Sequence, residues 1–311
     1  MWTTSTLDNG IKVRDITVDT GKGGDALTVV QLTDIHIVWM NESDYADPVL
    51  AKTYQKRTWA WDYEDKTDHL DIFLKCINTF HDADQIVVTG DIYDFFTDET
   101  VVRVRDIFNS YDNVMASLGN HEVVKMMGEE LGNGDWTAIV DKRLKRIDGN
   151  WVNDIYYSSK VLGDKVMLIQ MDNGVTGKFW DVQVEKFSAD LNRARANGYA
   201  VLLFYHIPIA TLNSKDINSK CCGIQAGNTE STFNFCSTGA APGGNDATGK
   251  ICSLIFSNGD IIKGAFCGHK HSDFYTEIKA TDPSGNPAYI PQYILAGAYV
   301  GNGQILRITV K

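Results

Sequence analysis

The sequence predicts an α/β fold in which alternating strands and helices come first and antiparallel strand pairs follow. Three observations support this fold class. Five short apolar runs are typical of buried strands, and each run ends abruptly in polar residues. Two stretches with apolar residues on one helical face lie among these strands. The last part of the chain has further apolar runs without helical periodicity.

The individual elements follow from these patterns. The five strands are predicted at residues 27–32, 85–88, 114–118, 201–205 and 261–267. Helices are predicted at 68–79 and 183–197, and Gly198 is a typical signal for the end of the second. Residues 155–157 and 166–169 flank a turn at Leu162-Gly163-Asp164 and predict a hairpin-like pair. Later strands are predicted at 289–290, 293–295 and 305–310.

Composition limits the possible classes of protein. The 311 residues include 43% hydrophobic and 11% aromatic residues, enough for a substantial core, which argues against a disordered chain. The formal net charge of −11 argues against binding to a nucleic-acid scaffold through its phosphates. No apolar run approaches the ~20 residues that a transmembrane helix needs. Since no repeat or linker is visible, we expect a single domain over residues 1–311.

Two segments are predicted to be lid insertions. Residues 37–66 are polar and aromatic and directly follow a predicted strand end. Residues 213–250 are rich in Gly, Ser, Asn and Thr and contain Cys221, Cys222 and Cys236. These cysteines either brace the loop with a disulfide or are scattered small hydrophobic residues; the cluster favours an extracytoplasmic location. Long loops in compact domains are typically functional.

Each of the five predicted strands ends at residues of types that commonly bind metal ions in proteins. The motifs, in chain order, are Asp34-x-His36, Gly90-Asp91-x-x-Asp94, Gly119-Asn120-His121-Glu122, His206 and Gly268-His269-x-His271, and they contain five of the seven histidines. Open α/β sheets place ligands beyond the carboxyl ends of their strands. Carboxylate, imidazole and amide oxygen together suit Zn, Mn or Fe. The sequence therefore predicts a metal cluster, with glycines that permit tight turns beside it.

This arrangement resembles the calcineurin-like metallophosphoesterase superfamily, because all five motifs occur in the family's order. The resemblance implies a metallophosphoesterase-type β-sandwich of two mixed sheets flanked by helices, with two divalent or trivalent metal ions (Mn, Fe or Zn). It assigns one ion to Asp34, His36, Asp91 and His271, and the other to Asp91, Asn120, His206 and His269. It also implies that His121 faces the leaving-group oxygen and that Asp94 orients His121.

A narrower stretch is similar to the purple-acid-phosphatase-like branch that lacks the extra N-terminal domain. This similarity rests on Tyr205-His206-Ile207-Pro208 and on residues 266–273. The sequence departs from true purple acid phosphatases in having His36 where they carry Gly and Asp94 where they carry a metal-bound Tyr. A purple iron-tyrosinate colour is therefore not expected.

The activity implied by the resemblance is hydrolysis of phosphate monoesters of small molecules by metal-activated hydroxide. A phosphodiesterase of nucleotides or lipid headgroups stays open, as does a non-catalytic binding module on the same fold. No paired Arg follows Asp94, where protein phosphatases keep one, which disfavours protein dephosphorylation. Since every ligand type and His121 are present, the enzyme interpretation is favoured over the binding module.

Other polar residues have simpler interpretations. His69 and His81 are expected to be ordinary solvated residues, and Arg57 and Lys270 surface charges rather than phosphate contacts. Residues 172–174 are expected to form a turn. Tyr93 either packs or touches the substrate.

Overall fold

A computed structural model describes residues 2–60, 69–123, 136–213 and 247–311, together with Ile217. Twelve strands in these residues form two sheets of six strands each. The strands are β1 (Thr3–Thr6), β2 (Lys12–Val18), β3 (Leu27–Leu32), β4 (Gln85–Thr89), β5 (Val114–Ser117), β6 (Tyr157–Leu162), β7 (Val166–Met171), β8 (Ala200–Phe204), β9 (Ile262–Cys267), β10 (Phe274–Thr281), β11 (Pro287–Ile294) and β12 (Gln304–Val310).

Both sheets mix parallel and antiparallel pairs. The first sheet has the order β1-β2-β12-β3-β4-β5, and the second has the order β10-β11-β9-β8-β7-β6. In the first sheet, β3, β4 and β5 run parallel, while β12 is antiparallel to β3. In the second sheet, β7, β8 and β9 run parallel. These two mixed sheets confirm the predicted fold class.

Helices cover the outer faces of both sheets. The described residues contain α1 (Glu42–Ala46), α2 (Pro48–Ala60), α3 (His69–Thr79), α4 (Asp98–Phe108), α5 (Trp136–Asp148), α6 (Asp181–Asn197) and α7 (Ala247–Phe256). One apolar cluster lies between the first sheet and α3, α4 and α5, and another lies between the second sheet and α6 and α7. A third cluster fills the space between the two sheets. The result is a sandwich of sheets with helices on either side.

The predicted elements form where their local signals are strong. All five predicted strands and both predicted helices are present, with ends that differ by one or two residues. Gly198 ends α6 in the left-handed conformation, with φ of 65°. The hairpin of β6 and β7 turns at Gly163 and Asp164, whose φ angles are 52° and 50°. A two-residue turn with positive φ at both positions matches the twist of the flanking strands.

Several elements were not predicted because their signals are weaker. Strands β2 and β10 alternate buried and exposed positions, which leaves no continuous apolar run. Helix α4 is capped at its N-terminus by Thr97, whose side chain accepts a hydrogen bond from the N–H of Thr100 at 3.0 Å. That N-cap is a recognisable start signal, but the helix itself has several charged residues among its apolar ones.

The predicted lid segments are described only in part. Segment 37–66 forms α1 and α2 as far as residue 60, and the remainder lies outside the described residues. Most of segment 213–250 also lies outside them, while residues 247–250 form the first turn of α7. Cys221, Cys222 and Cys236 fall in the part not described, so the braced loop and the extracytoplasmic location stay predictions. Among the described residues, Cys76, Cys252 and Cys267 are buried free thiols.

None of the helices within the described ranges is long and apolar enough to span a bilayer.

The packing between the sheets generates a prediction about stability. Phe266 of β9 lies fully buried between Phe204 and Tyr293, with ring centroids 5.0 and 5.5 Å away. We expect Phe266→Ala to lower the free energy of unfolding by about 3–5 kcal/mol, because it removes these contacts and leaves a cavity. Urea denaturation measures the change. Tyr289→Ala is the matched control, since Tyr289 is 57% exposed and should alter stability little; equal losses in both variants would contradict the prediction.

Candidate metal centre

The carboxyl ends of strands from both sheets meet at one cluster of carboxylates and imidazoles. Asp34 and His36 follow β3, Asp91 follows β4 and His271 follows β9. In this first group, Nε2 of His271 lies 3.1 Å from Oδ1 of Asp34 and 3.1 Å from Nε2 of His36. One ligand atom from each of the four side chains lies within 4.8 Å of the others. The structure thus brings together the four residues predicted to hold one ion.

A second group shares Asp91 with the first. His206 follows β8 and His269 follows β9, and both are buried. Nε2 of His206 lies 3.2 Å from Oδ2 of Asp91. Potential ligand atoms of Asp91, His206 and His269 all lie within 4.8 Å of one another. Asp91 is therefore common to both groups of potential ligand atoms.

The backbone at this cluster is strained. Five of its residues have positive φ, at Asp34 (48°), His36 (55°), Asp91 (50°), His269 (67°) and His271 (50°). Asp and His tolerate this conformation better than most residues, yet each instance still costs of the order of 1–3 kcal/mol. Such strain is concentrated at functional sites, where the surrounding structure holds it in place. The strand ends are therefore shaped to aim these side chains into one space.

The three motif glycines allow backbone segments to approach the cluster closely. A Cβ at Gly119 would lie 2.2 Å from Oδ1 of Asp91, and one at Gly268 would lie 2.2 Å from Oδ2 of Asp34. Gly90 has φ of 83°, and a Cβ there would lie 2.7 Å from Nδ1 of His206. Any larger residue would displace a predicted ligand, which agrees with the close turns expected from the sequence.

The pKa values of the Asp34 and Asp91 carboxylates are low despite their burial. Burial alone would raise the pKa of Asp34, but the hydrogen bond and charge of His271 outweigh it and lower that pKa to about 2. Burial likewise opposes ionisation of Asp91, and the neighbouring His206 and His121 bring its pKa well below the ordinary value. Both carboxylates are therefore ionised at neutral pH.

The buried imidazoles divide into two classes. Burial is the main cause that lowers the pKa of His36 to about 4 and the pKa of His269 to about 3. Burial also disfavours the charged form of His206, but the Asp91 carboxylate beside it raises its pKa to about 10. Neutral imidazoles and ionised carboxylates are the forms that bind cations. A proton held between His206 and Asp91 would compete with a cation there.

His121 lies beside the cluster rather than within the two groups. Its main-chain N–H donates to Oδ1 of Asp91 at 2.8 Å, and its side chain is half-buried. Nδ1 of His121 lies 2.7 Å from the main-chain carbonyl of Asp94 and 3.7 Å from the Asp94 carboxylate. The nearest contact of the ring is therefore with the main-chain carbonyl of Asp94, and the carboxylate of Asp94 lies farther away.

The Asp94 carboxylate is engaged mainly by two other residues. Both of its oxygens accept hydrogen bonds from Arg57 of α2, and Nδ1 of His36 lies 3.2 Å from Oδ1. Burial would raise the pKa of Asp94, but these hydrogen bonds lower it strongly. Arg57 is thus part of the cluster, and the expectation that it is a surface charge is wrong. Arg57 contacts Asp94, which lies 37 residues further along the chain, and the local sequence does not reveal such a contact.

Glu122 links two of the strand-end turns. Its Oε1 accepts the N–H groups of Ile92 and Tyr93 at 2.6 and 3.1 Å, and its Oε2 accepts that of Gly119 at 2.7 Å. Burial and the charge of Asp91 raise the pKa of Glu122 to about 7. Glu122 belongs to the Gly119-Asn120-His121-Glu122 motif, from which no role was predicted for it. The sequence feature that could have indicated a role for Glu122 was its position next to His121, in a turn that begins at Gly119.

Asn173 fixes the backbone after His206. Its amide nitrogen donates to the carbonyl of Ile207 at 2.7 Å, and its amide oxygen accepts the N–H of Ile207 at 2.9 Å. Asp172 accepts the N–H of Gly174 at 3.0 Å, which is the turn expected from the sequence. The segment therefore both forms a turn and supports the cluster.

For the remaining polar residues, the structure overturns some of the simpler interpretations and agrees with others. Lys270 is fully buried, so the expectation of a surface charge is wrong. His69 is half-buried with its Nδ1 3.0 Å from the carbonyl of His36, so the expectation of a solvated residue is also wrong. His81 is exposed, as expected. Tyr93 is buried and packs edge-on against Trp151 at 6.0 Å, which supports the packing interpretation.

The donor set fits a pair of cations. Oδ1 of Asn120 is buried and has no hydrogen-bond partner among the described residues. A buried acceptor without a partner costs roughly 1–3 kcal/mol unless something else binds it. The two ligand groups that share Asp91 contain carboxylates and imidazoles and, among the described residues, no thiolate, which suits borderline divalent ions. Asn120 is the amide predicted for the second group, and that assignment stays a prediction.

Comparison with known proteins agrees with this site. The model of the calcineurin-like phosphoesterase family matches residues 27–273, which is well over half of the chain. The chain therefore belongs to the calcineurin-like phosphoesterase family. It is a metal-dependent phosphoric ester hydrolase, and its candidate ligands are those of a dinuclear centre. The narrower similarity to purple acid phosphatases stays a prediction.

Three solved structures show distant similarity. A dimetal phosphatase from Danio rerio is 14% identical, with a TM-score of 0.45 and 87% of each chain covered. A proposed 5'-nucleotidase from Staphylococcus aureus, in complex with α-ketoglutarate, is 13% identical, with a TM-score of 0.36; 88% of this chain and 55% of that chain are covered. A 5'-nucleotidase from Candida albicans is 11% identical, with a TM-score of 0.35; the coverage is 87% and 45%.

The chain thus spans about half the length of the two nucleotidase chains. At this level of similarity, none of the three assigns a substrate to it. No curated protein sequence matches the chain at a significant level.

The close approach of Gly119 to Asp91 generates a prediction. A Cβ at Gly119 would lie 2.2 Å from Oδ1 and 2.4 Å from the main-chain nitrogen of Asp91. We expect Gly119→Ala to destabilise the fold by about 1–3 kcal/mol and to weaken cation binding, because Asp91 must move. Thermal unfolding and titration with Mn²⁺ measure the two effects. Gly23→Ala is the control, since no atom lies within 4 Å of a Cβ there; a Gly119→Ala protein as stable as this control would contradict the prediction.

Proposed function

We propose that this protein hydrolyses phosphate monoesters of small molecules at a dinuclear metal centre. The observation that carries the proposal is the pair of ligand groups that share the Asp91 carboxylate. Asp34, His36 and His271 would complete one ion. His206 and His269 would complete the other, with the buried oxygen of Asn120.

The residues suit Mn, Fe or Zn, because these ions accept mixed oxygen and nitrogen ligands. When bound, two such ions neutralise charge on the phosphoryl oxygens and make water more acidic. Phosphoryl transfer depends mainly on positioning and charge stabilisation. The protein's own contribution is to hold the ionised carboxylates of Asp34 and Asp91 in a buried space.

His121 is the residue we assign to the leaving group. Its Nδ1–H donates to the carbonyl of Asp94 at 2.7 Å, which fixes the ring and leaves Nε2 to carry the transferred proton. A carbonyl oxygen can only accept a hydrogen bond, so Nδ1 is the nitrogen that carries the donated hydrogen. His121 is half-buried beside His36, with ring centroids 4.6 Å apart. A proton donor placed in this way contributes roughly 10²–10⁴-fold to the rate.

We further propose that residues 1–311 act as one metallophosphoesterase domain with segment 37–66 as a lid. The support is the contact of Arg57, which lies in this segment, with the buried carboxylate of Asp94. Because that carboxylate also contacts His36, the position of α2 is coupled to the first ligand group. Segment 213–250 is proposed as a second lid on its sequence alone.

The shared carboxylate provides the first test of the function. We expect Asp91→Asn to lower hydrolysis of a chromogenic phosphate monoester with added Mn²⁺ by at least about 100-fold. Loss of a group that only contacts a metal ligand typically costs about 10–100-fold in metal affinity or activity, and replacing a ligand common to both ions should cost more. Chelation should abolish wild-type activity, and Mn²⁺ should restore it. A chromogenic diester assayed in parallel distinguishes the two ester classes.

Asp164→Asn is the matched control for this test. Asp164 has the same left-handed backbone, with φ of 50°, but lies exposed in the β6–β7 hairpin. Activity should be unchanged in this variant. A wild-type protein that binds Mn²⁺ and cleaves neither ester would instead support a binding module and refute the proposed hydrolase.

The role of His121 gives a second test. We expect His121→Ala to bind Mn²⁺ with wild-type stoichiometry but to lose roughly 10²–10⁴-fold in kcat, because the proton donor is removed while both ligand groups remain. Steady-state kinetics and metal analysis on the same samples measure both quantities. His81→Ala serves as control, since His81 is exposed and its Nδ1 lies beside the nearby carbonyl of Asn78, away from both ligand groups. An unchanged kcat in His121→Ala with full metal content would remove His121 from the mechanism.

A further inference from the structure

Tyr299 lies in the loop between β11 and β12, outside the residues that match the family model. This loop is attached to the end of β3. The N–H of Ala298 donates to the carbonyl of Thr33 at 2.8 Å, and the N–H of Gln304 donates to the carbonyl of Ala298 at 3.2 Å. Since Thr33 directly precedes Asp34, the loop is fixed relative to the first ligand group.

The Tyr299 hydroxyl contacts a predicted metal ligand. It lies 3.0 Å from Nδ1 of His271, whose other nitrogen lies 3.1 Å from Oδ1 of Asp34. A neutral imidazole carries a proton on one nitrogen and a lone pair on the other. A hydroxyl that accepts the Nδ1–H therefore leaves the lone pair of Nε2 facing the first group.

The Tyr299 ring is held on two sides. It stacks on His69 of α3, with centroids 4.7 Å apart and planes 15° apart. Nδ1 of His69 lies 3.0 Å from the carbonyl of His36. Gly297 also leaves room for the ring, because a Cβ there would lie 2.6 Å from Cε1 of Tyr299 and 2.9 Å from the carbonyl of Asp34. The hydroxyl is thus positioned by contacts from β3, α3 and its own loop.

We propose that Tyr299 is a positioning residue for the first metal ion, acting through His271. The proposal rests on the function proposed above and adds to it a residue that contacts a predicted metal ligand rather than the metal. Its hydroxyl orients the imidazole and fixes which nitrogen faces the cation. Hydrogen-bond partners of this kind typically contribute 10–100-fold to metal affinity. The alternative is that Tyr299 only fills space, in which case its ring would matter and its hydroxyl would not.

Tyr299→Phe separates these two roles, because it keeps the ring and the stacking on His69 but lacks the hydroxyl. Calorimetric titration of the metal-free full chain with Mn²⁺ is expected to show about 10–100-fold weaker binding at one of two sites. Binding at the other site and the melting temperature of the metal-free protein should match the wild type. Tyr289→Phe is the control, since that tyrosine is exposed and on β11.

A double-mutant cycle tests whether Tyr299 acts through His271. In a His271→Ala background, adding Tyr299→Phe should cause no further loss of Mn²⁺ affinity, because the intermediary is already gone. Independent, additive losses would overturn the proposal. So would wild-type affinity at both sites in Tyr299→Phe with a loss only in Tyr299→Leu, which would indicate packing alone. A wild-type chain that binds no Mn²⁺ would refute the proposed function itself and with it this inference.

Discussion

The carboxylates of Asp34 and Asp91 are buried where the two sheets meet, and their charge has to be balanced there. Both are almost completely inaccessible to water. Asp34, which follows a strand of the first sheet, accepts the main-chain N–H of His269 from the second sheet at 2.9 Å. Asp91 is likewise paired across the sheets with His206. An uncompensated buried charge is costly, so the strand ends of both sheets must converge. The same contacts that assemble the centre therefore also join the sheets.

The strained turns show how the fold keeps this arrangement. Five residues of the cluster adopt left-handed backbone conformations, and most L-residues avoid them. Short polar side chains are the ones that tolerate such turns. The carboxylate of Glu122 and the amide of Asn173 hold three of the adjoining turns through main-chain hydrogen bonds. The cluster is thus formed in advance by the protein, which reduces the reorganisation that cation binding and catalysis need.

Much of the fold and a metal cluster at the strand ends could be predicted from the sequence, because both depend on local signals, whereas the assignment of ligands to two ions rests on the family resemblance. An apolar run that ends at Asp, Asn or His predicts a strand and also places its last polar residue. Tyr299, Arg57 and His69 could not be found in this way. They reach the cluster through contacts between segments distant along the chain, and nothing in their immediate neighbours indicates burial. Lys270 lies between two histidines of one motif, where a charged residue suggests solvent, yet the fold encloses it.

The place of β12 in the first sheet has a consequence for biosynthesis. This strand, at residues 304–310, lies between β2 and β3, pairing parallel with one and antiparallel with the other. The first sheet therefore stays divided until residues 304–310 have been synthesised and can pair with both strands. Contacts of such long sequence separation slow folding and leave strand edges open in the meantime. A nascent chain should thus expose the edges of β2 and β3 until β12 is available to pair with them.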